Sequence, residues 1–358
     1  MAPRVAVDAG PAARVLRTGT ELFASEICRR LPDAAPDLRF TFYASRPGTD
    51  PGLDLTVLPA PRLWSQLRLP AELWQRRPDL LFVPSHAVPF LAPAAAVTVV
   101  HDLAFERHPD AYRPAQRAYL RLTTRWAERR CAHLLTVSEA TRQDLVRLHG
   151  VAPDRVTVVA PGGGGERPRL SEEEARGRLE RLGVTRPFVL HVGRVERRKN
   201  QLTSLAAVRR HAGLQLAVAG AVADPDMAAA LRADPACALL GRVPDADLEA
   251  LYGQAAAVSF PSLYEGFGFP VLEAMRRGVP VVTARTSSLP EVGGDAALYV
   301  DDPLDAEALA RALQQAQDER EHWSALGRKR AATFSWDRAA ADVAGVLRRY
   351  AGAASPSS

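Results

Sequence analysis

The chain has 358 residues, 47% hydrophobic and 24% charged, with 46 basic side chains against 41 acidic ones for a net charge of +5. That balance excludes a disordered polar chain, and no apolar run approaches the ~20 residues of a membrane-spanning helix. The mild positive excess suits a phosphorylated substrate or an anionic membrane face; nucleic acid is not expected, because no aromatic-interleaved basic motif accompanies the charge.

This length accommodates one large core or two of ordinary size. Met1-Ala2-Pro3-Arg4 runs straight into strand-like Val5-Ala6-Val7-Asp8, so no signal peptide is evident. The scattered Cys28, Cys131 and Cys237 have no metal or redox spacing and fit buried, reduced thiols in a cytoplasmic protein.

In chain order, short apolar β-branched segments fall at 5–8, 40–44, 55–58, 80–83, 97–100, 134–137 and 156–159, then at 188–192, 214–219, 238–240, 258–260, 279–283 and 297–300. Apolar strands alternating with helix-like stretches predict an α/β fold of parallel sheets covered on both faces. So many strands exceed one ordinary doubly wound sheet, so two Rossmann-like domains are expected. The boundary is placed at Pro161-Gly162-Gly163-Gly164-Gly165, a flexible connection, giving domains at 1–161 and 166–335. Beyond it Ser171-Glu172-Glu173-Glu174 reads as a capping box opening a helix that ends at Gly183. A last helix follows Ser335-Trp336 and covers 336–352, before a small polar tail.

Candidate chemistry follows the same order. Gly19, between the first strand and a helix, offers an amide to a donor phosphate or an acceptor, but no Gly-X-Gly-X-X-Gly fingerprint supports a nicotinamide site. The segment 63–77 mixes Trp64, Leu67, Leu69 and Trp74 with Arg68, Arg76 and Arg77, in two pieces broken by Pro70. His86 ranks behind His101, which ends a strand and can donate to a sugar hydroxyl or stabilise charge, with Asp102 orienting its ring; the bland alternative is a histidine satisfied by backbone. Arginines at 113, 117, 121, 125 and 129 form a positive helix face suited to anionic lipid, or simply a solvated face.

His191 sits inside an apolar strand and reads as core. Gly193-Arg194 ends that strand, and Arg194, Arg197, Arg198 and Lys199 make a positive site where α/β ligands bind; Arg197 and Arg198 are read as solvated. The runs Asp224-Pro225-Asp226 and Asp245-Ala246-Asp247 precede helices and read as caps, so no metal is expected. Backbone at Val243 can read a base edge, with Asp245 beside it. Glu265-Gly266-Phe267-Gly268 and the helix carrying Glu273 form a strand–loop–helix junction with free amides for an anion. Glu265 is expected in the loop mouth and Glu273 one turn inside, both accepting sugar hydroxyls.

Glu265 and Glu273 eight residues apart, followed by Ala274-Met275 and Gly278-Val279-Pro280-Val281-Val282, resemble the retaining glycosyltransferases of family 4. His101-Asp102-Leu103-Ala104-Phe105, Thr136-Val137-Ser138-Glu139, the run from Gly193 to Asn200, and Ser335-Trp336 match that family's segments in its order. The resemblance covers nearly the whole chain and is most similar to bacterial O-polysaccharide mannosyltransferases. It implies the GT-B fold, with two parallel-sheet domains facing across a cleft and the C-terminal helix returning to the N-terminal, acceptor-binding domain. It implies a metal-independent hexosyltransferase with no cofactor, moving mannose from GDP-mannose (UDP- or dTDP-sugars remaining open) to a glycan or lipid-linked acceptor. Arg194 and Lys199 would hold the donor diphosphate, and a peripheral position on the inner membrane face is expected. A nucleotide-sugar 2-epimerase and a non-catalytic carbohydrate-binding protein remain as alternatives.

Overall fold

The computed structural model describes residues 1–14, 18–48, 52–60, 63–85, 87–163 and 170–352. The chain divides into two compact units, Met1–Gly162 with Phe334–Ser358, and Gly163–Thr333. All thirteen expected strands form, shifted by a residue or two at their ends.

Unit 1 contains β1 (Arg4–Asp8), α1 (Gly19–Ala34), β2 (Arg39–Ala44), β3 (Leu55–Val57), α2 (Leu69–Arg76), β4 (Leu80–Val83), β5 (Ala95–Val100), α3 (Ala104–Arg107), α4 (Pro114–Arg130), β6 (His133–Thr136), α5 (Glu139–His149) and β7 (Val156–Val158). Its sheet is parallel in the order β3-β2-β1-β4-β5-β6-β7, around a core that includes Leu69, Leu81, Val100, Phe105 and Leu134.

Unit 2 follows with α6 (Glu172–Arg181), β8 (Phe188–Val192), α7 (Gln201–Val208), β9 (Gln215–Ala219), α8 (Pro225–Arg232), β10 (Cys237–Gly241), α9 (Asp245–Gln254), β11 (Ala257–Phe260), α10 (Phe269–Arg276), β12 (Val281–Ala284), α11 (Leu289–Gly293), β13 (Leu298–Val300), α12 (Ala306–Asp318) and α13 (Arg320–Ala331). Its sheet runs β10-β9-β8-β11-β12-β13, and the Ser171–Glu174 capping box opens α6 as expected.

The last helix, α14 (Trp336–Gly352), belongs to unit 1 and packs on α1. Arg30 reaches Asp337 at 2.7 Å, the Arg348 guanidinium forks onto Asp37, and the Trp336 ring lies 6.0 Å from Phe23. Two glycines of the boundary run are packing positions, which corrects the reading of a wholly flexible connection. A side chain at Gly162 would strike the Trp336 ring at 2.5 Å, and one at Gly163 would meet Arg276 at 2.7 Å. Gly164 and Gly165 lie outside the described residues.

His191 is a core residue, fully buried between Ser204 and the Phe260 ring. Burial, helped by the Lys199 charge, pulls its pKa down to about 3. The unfolded chain takes up this proton below the ordinary 6.5 and the folded chain only near 3, so stability is full above 6.5 and falls as the pH drops between those values. His191→Leu is therefore expected to flatten the acid limb of the stability curve by about 3 kcal/mol between neutrality and about pH 4. Parallel urea-denaturation curves for wild type and variant across that range would dismiss the effect.

Candidate active site

In unit 2 the strand order reverses between β8 and β11, the place where ligands bind at the carboxyl ends of a doubly wound sheet. Expected donor residues follow both strands, Arg194 and Lys199 after β8 and Gly266–Gly268 after β11. After β8 the chain passes through Arg194 and a tight turn over Arg197–Lys199. Asn200 then takes the left-handed conformation (φ 61°), and its amide anchors the turn on the carbonyls of Pro261 (3.0 Å) and Pro303 (2.6 Å). Lys199 is thereby aimed across to the loop after β11. Its Nζ donates to both carboxylate oxygens of Glu265, at 2.6 and 2.8 Å, and lies 5.2 Å from the centre of the Phe260 ring.

Two expectations change here. Glu265 does not stand in the loop mouth: it is buried, and its carboxylate is held by Lys199 and, at 3.4 Å, by Arg198. Arg198 is not solvated either. It donates to the Tyr264 carbonyl at 2.6 Å and to Glu196 at 2.7 Å, while the Leu263 amide donates to its own carbonyl. Arg198 therefore sews the two loops together, while Arg197 stays largely in solvent. Burial works to raise the Glu265 pKa, but the Lys199 and Arg198 charges outweigh it and hold the carboxyl below its ordinary value. For Lys199 burial is the stronger influence and pulls it below its usual range despite Glu265.

The Glu265–Gly268 loop is braced from the turn after β12. Ser287 Oγ accepts from the Glu265 amide at 2.7 Å, and Ser288 Oγ donates to the carbonyls of Glu265 and Phe267 at 3.0 and 2.8 Å. Gly268, at φ 111°, turns the chain into α10, and a side chain there would press Leu289 at 3.0 Å. Among the described residues the amides of Gly266 and Gly268 donate to nothing, which leaves both available to an anion beside the N-terminus of α10. Phe267 is buried edge-on to Phe269, 5.1 Å between centres. Glu273 is buried in the body of α10, and no donor among the described residues engages its carboxylate.

Arg194 projects outward, 61% exposed, 3.8 Å from Glu196. Val243 is half-buried beyond β10. Of the paired aspartates, Asp224 caps α8 and Asp247 binds Arg178 at 2.6 Å. Among the described residues no three His, Cys, Asp or Glu side chains gather to hold a metal.

Unit 1 carries its own constellation at the carboxyl end of its sheet. His101, after β5, donates from Nε2 to the Pro84 carbonyl at 2.8 Å, which fixes that tautomer when the ring is neutral and leaves Nδ1 an acceptor. Burial lowers its pKa, against the opposing hydrogen bond to Pro84 and the charges of Asp102 and Glu21, so the neutral ring dominates at pH 7. The ring is oriented by Pro84 and by Phe23, edge-on at 5.3 Å, rather than by Asp102, whose carboxylate accepts from the Ala104 amide at the start of α3. Gly19 opens α1, and Glu21 in the same turn accepts from the Thr18 amide at 3.0 Å and from Arg14 at 2.8 Å. Asp8, unremarked in the sequence, ends β1 almost fully buried, and burial raises its pKa to about 6. His86 lies outside the described residues.

Comparison with known proteins decides the family. The family profile for glycosyl transferases group 1 matches residues 174–331, and that for Glycosyltransferase Family 4 matches residues 18–162. An O-antigen chain mannosyltransferase B of Escherichia coli is 34% identical over 257 residues, spanning 68% of this chain and 67% of its own. The chain belongs to the family 4 glycosyltransferases. A second relative, the O-antigen chain mannosyltransferase RfbU of Salmonella typhimurium, is 24% identical and spans 71% of this chain and 70% of its own. Among solved structures, Anabaena HepE in complex with UDP-glucose superposes with a TM-score of 0.76 at 18% identity, covering 97% of this chain and 99% of that one, which establishes the GT-B fold.

In this glycosyltransferase Ser287, Ser288 and Asp8 were not singled out in the sequence, and Arg198, placed in the basic cluster, was read as solvated. Only Arg198 had a usable signal, its place beside Lys199. The serines act through backbone contacts from a turn more than twenty residues away, which no local pattern announces.

Proposed function

We propose that the protein is a retaining, metal-independent hexosyltransferase that moves mannose from a nucleotide diphosphate donor, GDP-mannose before UDP- or dTDP-sugars, to a glycan or lipid-linked acceptor in cell-surface polysaccharide assembly. The observation that carries this reading is the β8/β11 switch point, where Arg194 and Lys199 follow one strand, the Gly266 and Gly268 amides follow its neighbour, and Lys199 bridges the two through the buried Glu265 carboxylate. Such a group of donors suits a diphosphate, with Glu273 left to accept a sugar hydroxyl. We do not assign Glu265 as a covalent nucleophile, since its carboxylate is spent on Lys199 and Arg198. Attack on the same face, with the leaving phosphate taking the acceptor's proton, needs only stabilisation of that diphosphate. His101 and Gly19 are assigned to unit 1's share of the reaction, and Val243 to the base. That both relatives are mannosyltransferases supports the sugar, and the UDP-glucose bound by HepE supports the donor class.

We assign unit 1 also to an anionic membrane surface on the cytoplasmic side. Leu63, Leu67, Trp74, Leu91, Tyr119 and Leu122 are exposed apolar side chains, and Arg113, Arg125 and Arg129 of the α4 stripe face solvent. The stripe is weaker than its spacing suggested, because Glu106 binds Arg121 at 2.5 Å and lies 3.8 Å from Arg117; Trp64 packs on the core instead. No helix among the described residues is long and apolar enough to cross a membrane.

Thermal melting against GDP, UDP, dTDP and their sugars, in the presence of a chelator, tests the donor. At a hundredfold excess over Kd the right nucleotide adds about 2.7 kcal/mol of stability. An unmoved melting temperature across the whole panel, or inverted product stereochemistry by NMR, would defeat the proposal.

A further inference from the structure

Unit 1 has a second polar concavity, whose lining includes none of the residues assigned above. A parallel sheet is normally covered by apolar side chains on both faces, and β2 breaks that rule. Phe40 and Phe42 stack on one face, 5.9 Å between ring centres, while Arg39, Thr41 and Tyr43 line a groove of about 360 Å³ on the other. The register brings Arg4 beside Arg39, Ala6 beside Thr41, and Thr56 of β3 beside Tyr43. The small Ala6 leaves room at the floor, and α2 forms the far wall with Glu72 and Arg76.

The charges do not balance. Glu72, the one acid in the lining, is shared by Arg68 and Arg76, each at 3.2 Å. Arg4 donates to the carbonyls of Arg76 and Arg77 at 3.1 and 2.6 Å and has Asp79 at 3.9 Å. Arg39 has no acid and no side-chain hydrogen bond among the described residues, although its register partner is another arginine. Like charges side by side on neighbouring strands repel, so the pair makes sense if an anion sits between or above them. Thr41, Tyr43 and Thr56 add three hydroxyls along the same wall, and none of them has a side-chain partner among the described residues. Burial and the Glu72 charge raise the Tyr43 pKa, so its hydroxyl stays a donor.

We infer that this groove binds a phosphate-bearing polyol, a sugar phosphate or the phosphorylated sugar-like headgroup of a lipid, with Arg39 and Arg4 on the phosphate and the three hydroxyls on the ring. Forked guanidinium donors suit phosphate, and neutral hydroxyls suit a polyol. The site is separate from the donor site of unit 2 and does not depend on the transfer reading.

Calorimetric titration of the full chain, saturated with GDP, tests it using glucose 6-phosphate, inorganic phosphate and glucose as probes. One equivalent of glucose 6-phosphate is expected to bind, more tightly than either of the others. Arg39→Ala should weaken it about tenfold or more, with Arg39→Lys intermediate, and Lys199→Met should leave it unchanged. Because Arg39 is exposed and repelled by Arg4, the alanine variant should melt no lower than wild type. Vesicles carrying phosphatidylinositol 4-phosphate, against phosphatidylglycerol at equal charge, separate the two sources: Arg39-dependent preference for the former, with weak glucose 6-phosphate binding, assigns the groove to a lipid headgroup. No Arg39-dependent binding of either probe overturns the inference, as does glucose 6-phosphate binding that Lys199→Met abolishes.

Discussion

Lys199→Ala is expected to cut sugar transfer roughly 100- to 1,000-fold, the usual effect of removing one charged donor from a developing anion. It should also cost about 3 kcal/mol of stability, because it leaves the buried Glu265 carboxylate short of its closest partner. Arg198, at 3.4 Å, softens that loss without cancelling it. The two effects have separate causes and can be separated. In Lys199→Met/Glu265→Gln the uncompensated charge is gone, so most of the stability should return, yet transfer should stay low because the lysine's share of the charge on the phosphates is still missing. Chemical denaturation beside initial rates at saturating donor decides it. Wild-type turnover in a folded single variant, or recovered transfer in the double variant, would remove Lys199 from the chemistry.

The same pair shows what could be seen in the sequence. The strands were legible because parallel strands buried on both faces are written as unbroken apolar runs, such as Phe188–Val192 and Leu80–Val83. Lys199 and Glu265 were legible as charged residues just beyond such runs. What could not be read is that they neutralise each other. That depends on β8 and β11 becoming neighbours, and no spacing across sixty-six residues announces it. The same holds for Arg117 and Arg121, whose regular spacing suggested a bare cationic face until α3 brought Glu106 beside them. Asp102 misled for a local reason: beside His101 in sequence, it turns instead to the amide two residues on.

Gly220→Ala carries the other large expected effect, although Gly220 has no side chain to offer a substrate. Gly220 follows β9, and its amide donates to the Gly241 carbonyl at 2.7 Å, while the Gly193 amide donates to Ala219 at 2.9 Å. The carboxyl ends of β10, β9 and β8 are thus tied in a row that ends at Arg194. A Cβ on Gly220 would sit 1.9 Å from the Gly193 carbonyl oxygen and 3.1 Å from the Arg194 nitrogen. Those atoms are backbone and cannot rotate away, so β8 and β9 must part at the point where the diphosphate is to be held. The expected cost is about 2–4 kcal/mol of stability. Because the displaced segment carries Arg194, KM for the donor should rise about tenfold or more. Gly253→Ala is the control. That glycine lies in α9 with nothing within 4 Å of the added carbon, so the same substitution should stabilise by about 0.5–1 kcal/mol and leave KM alone. If Gly220→Ala melted with wild type and kept its KM, the approach of β9 to the Arg194 segment would not be what positions the arginine.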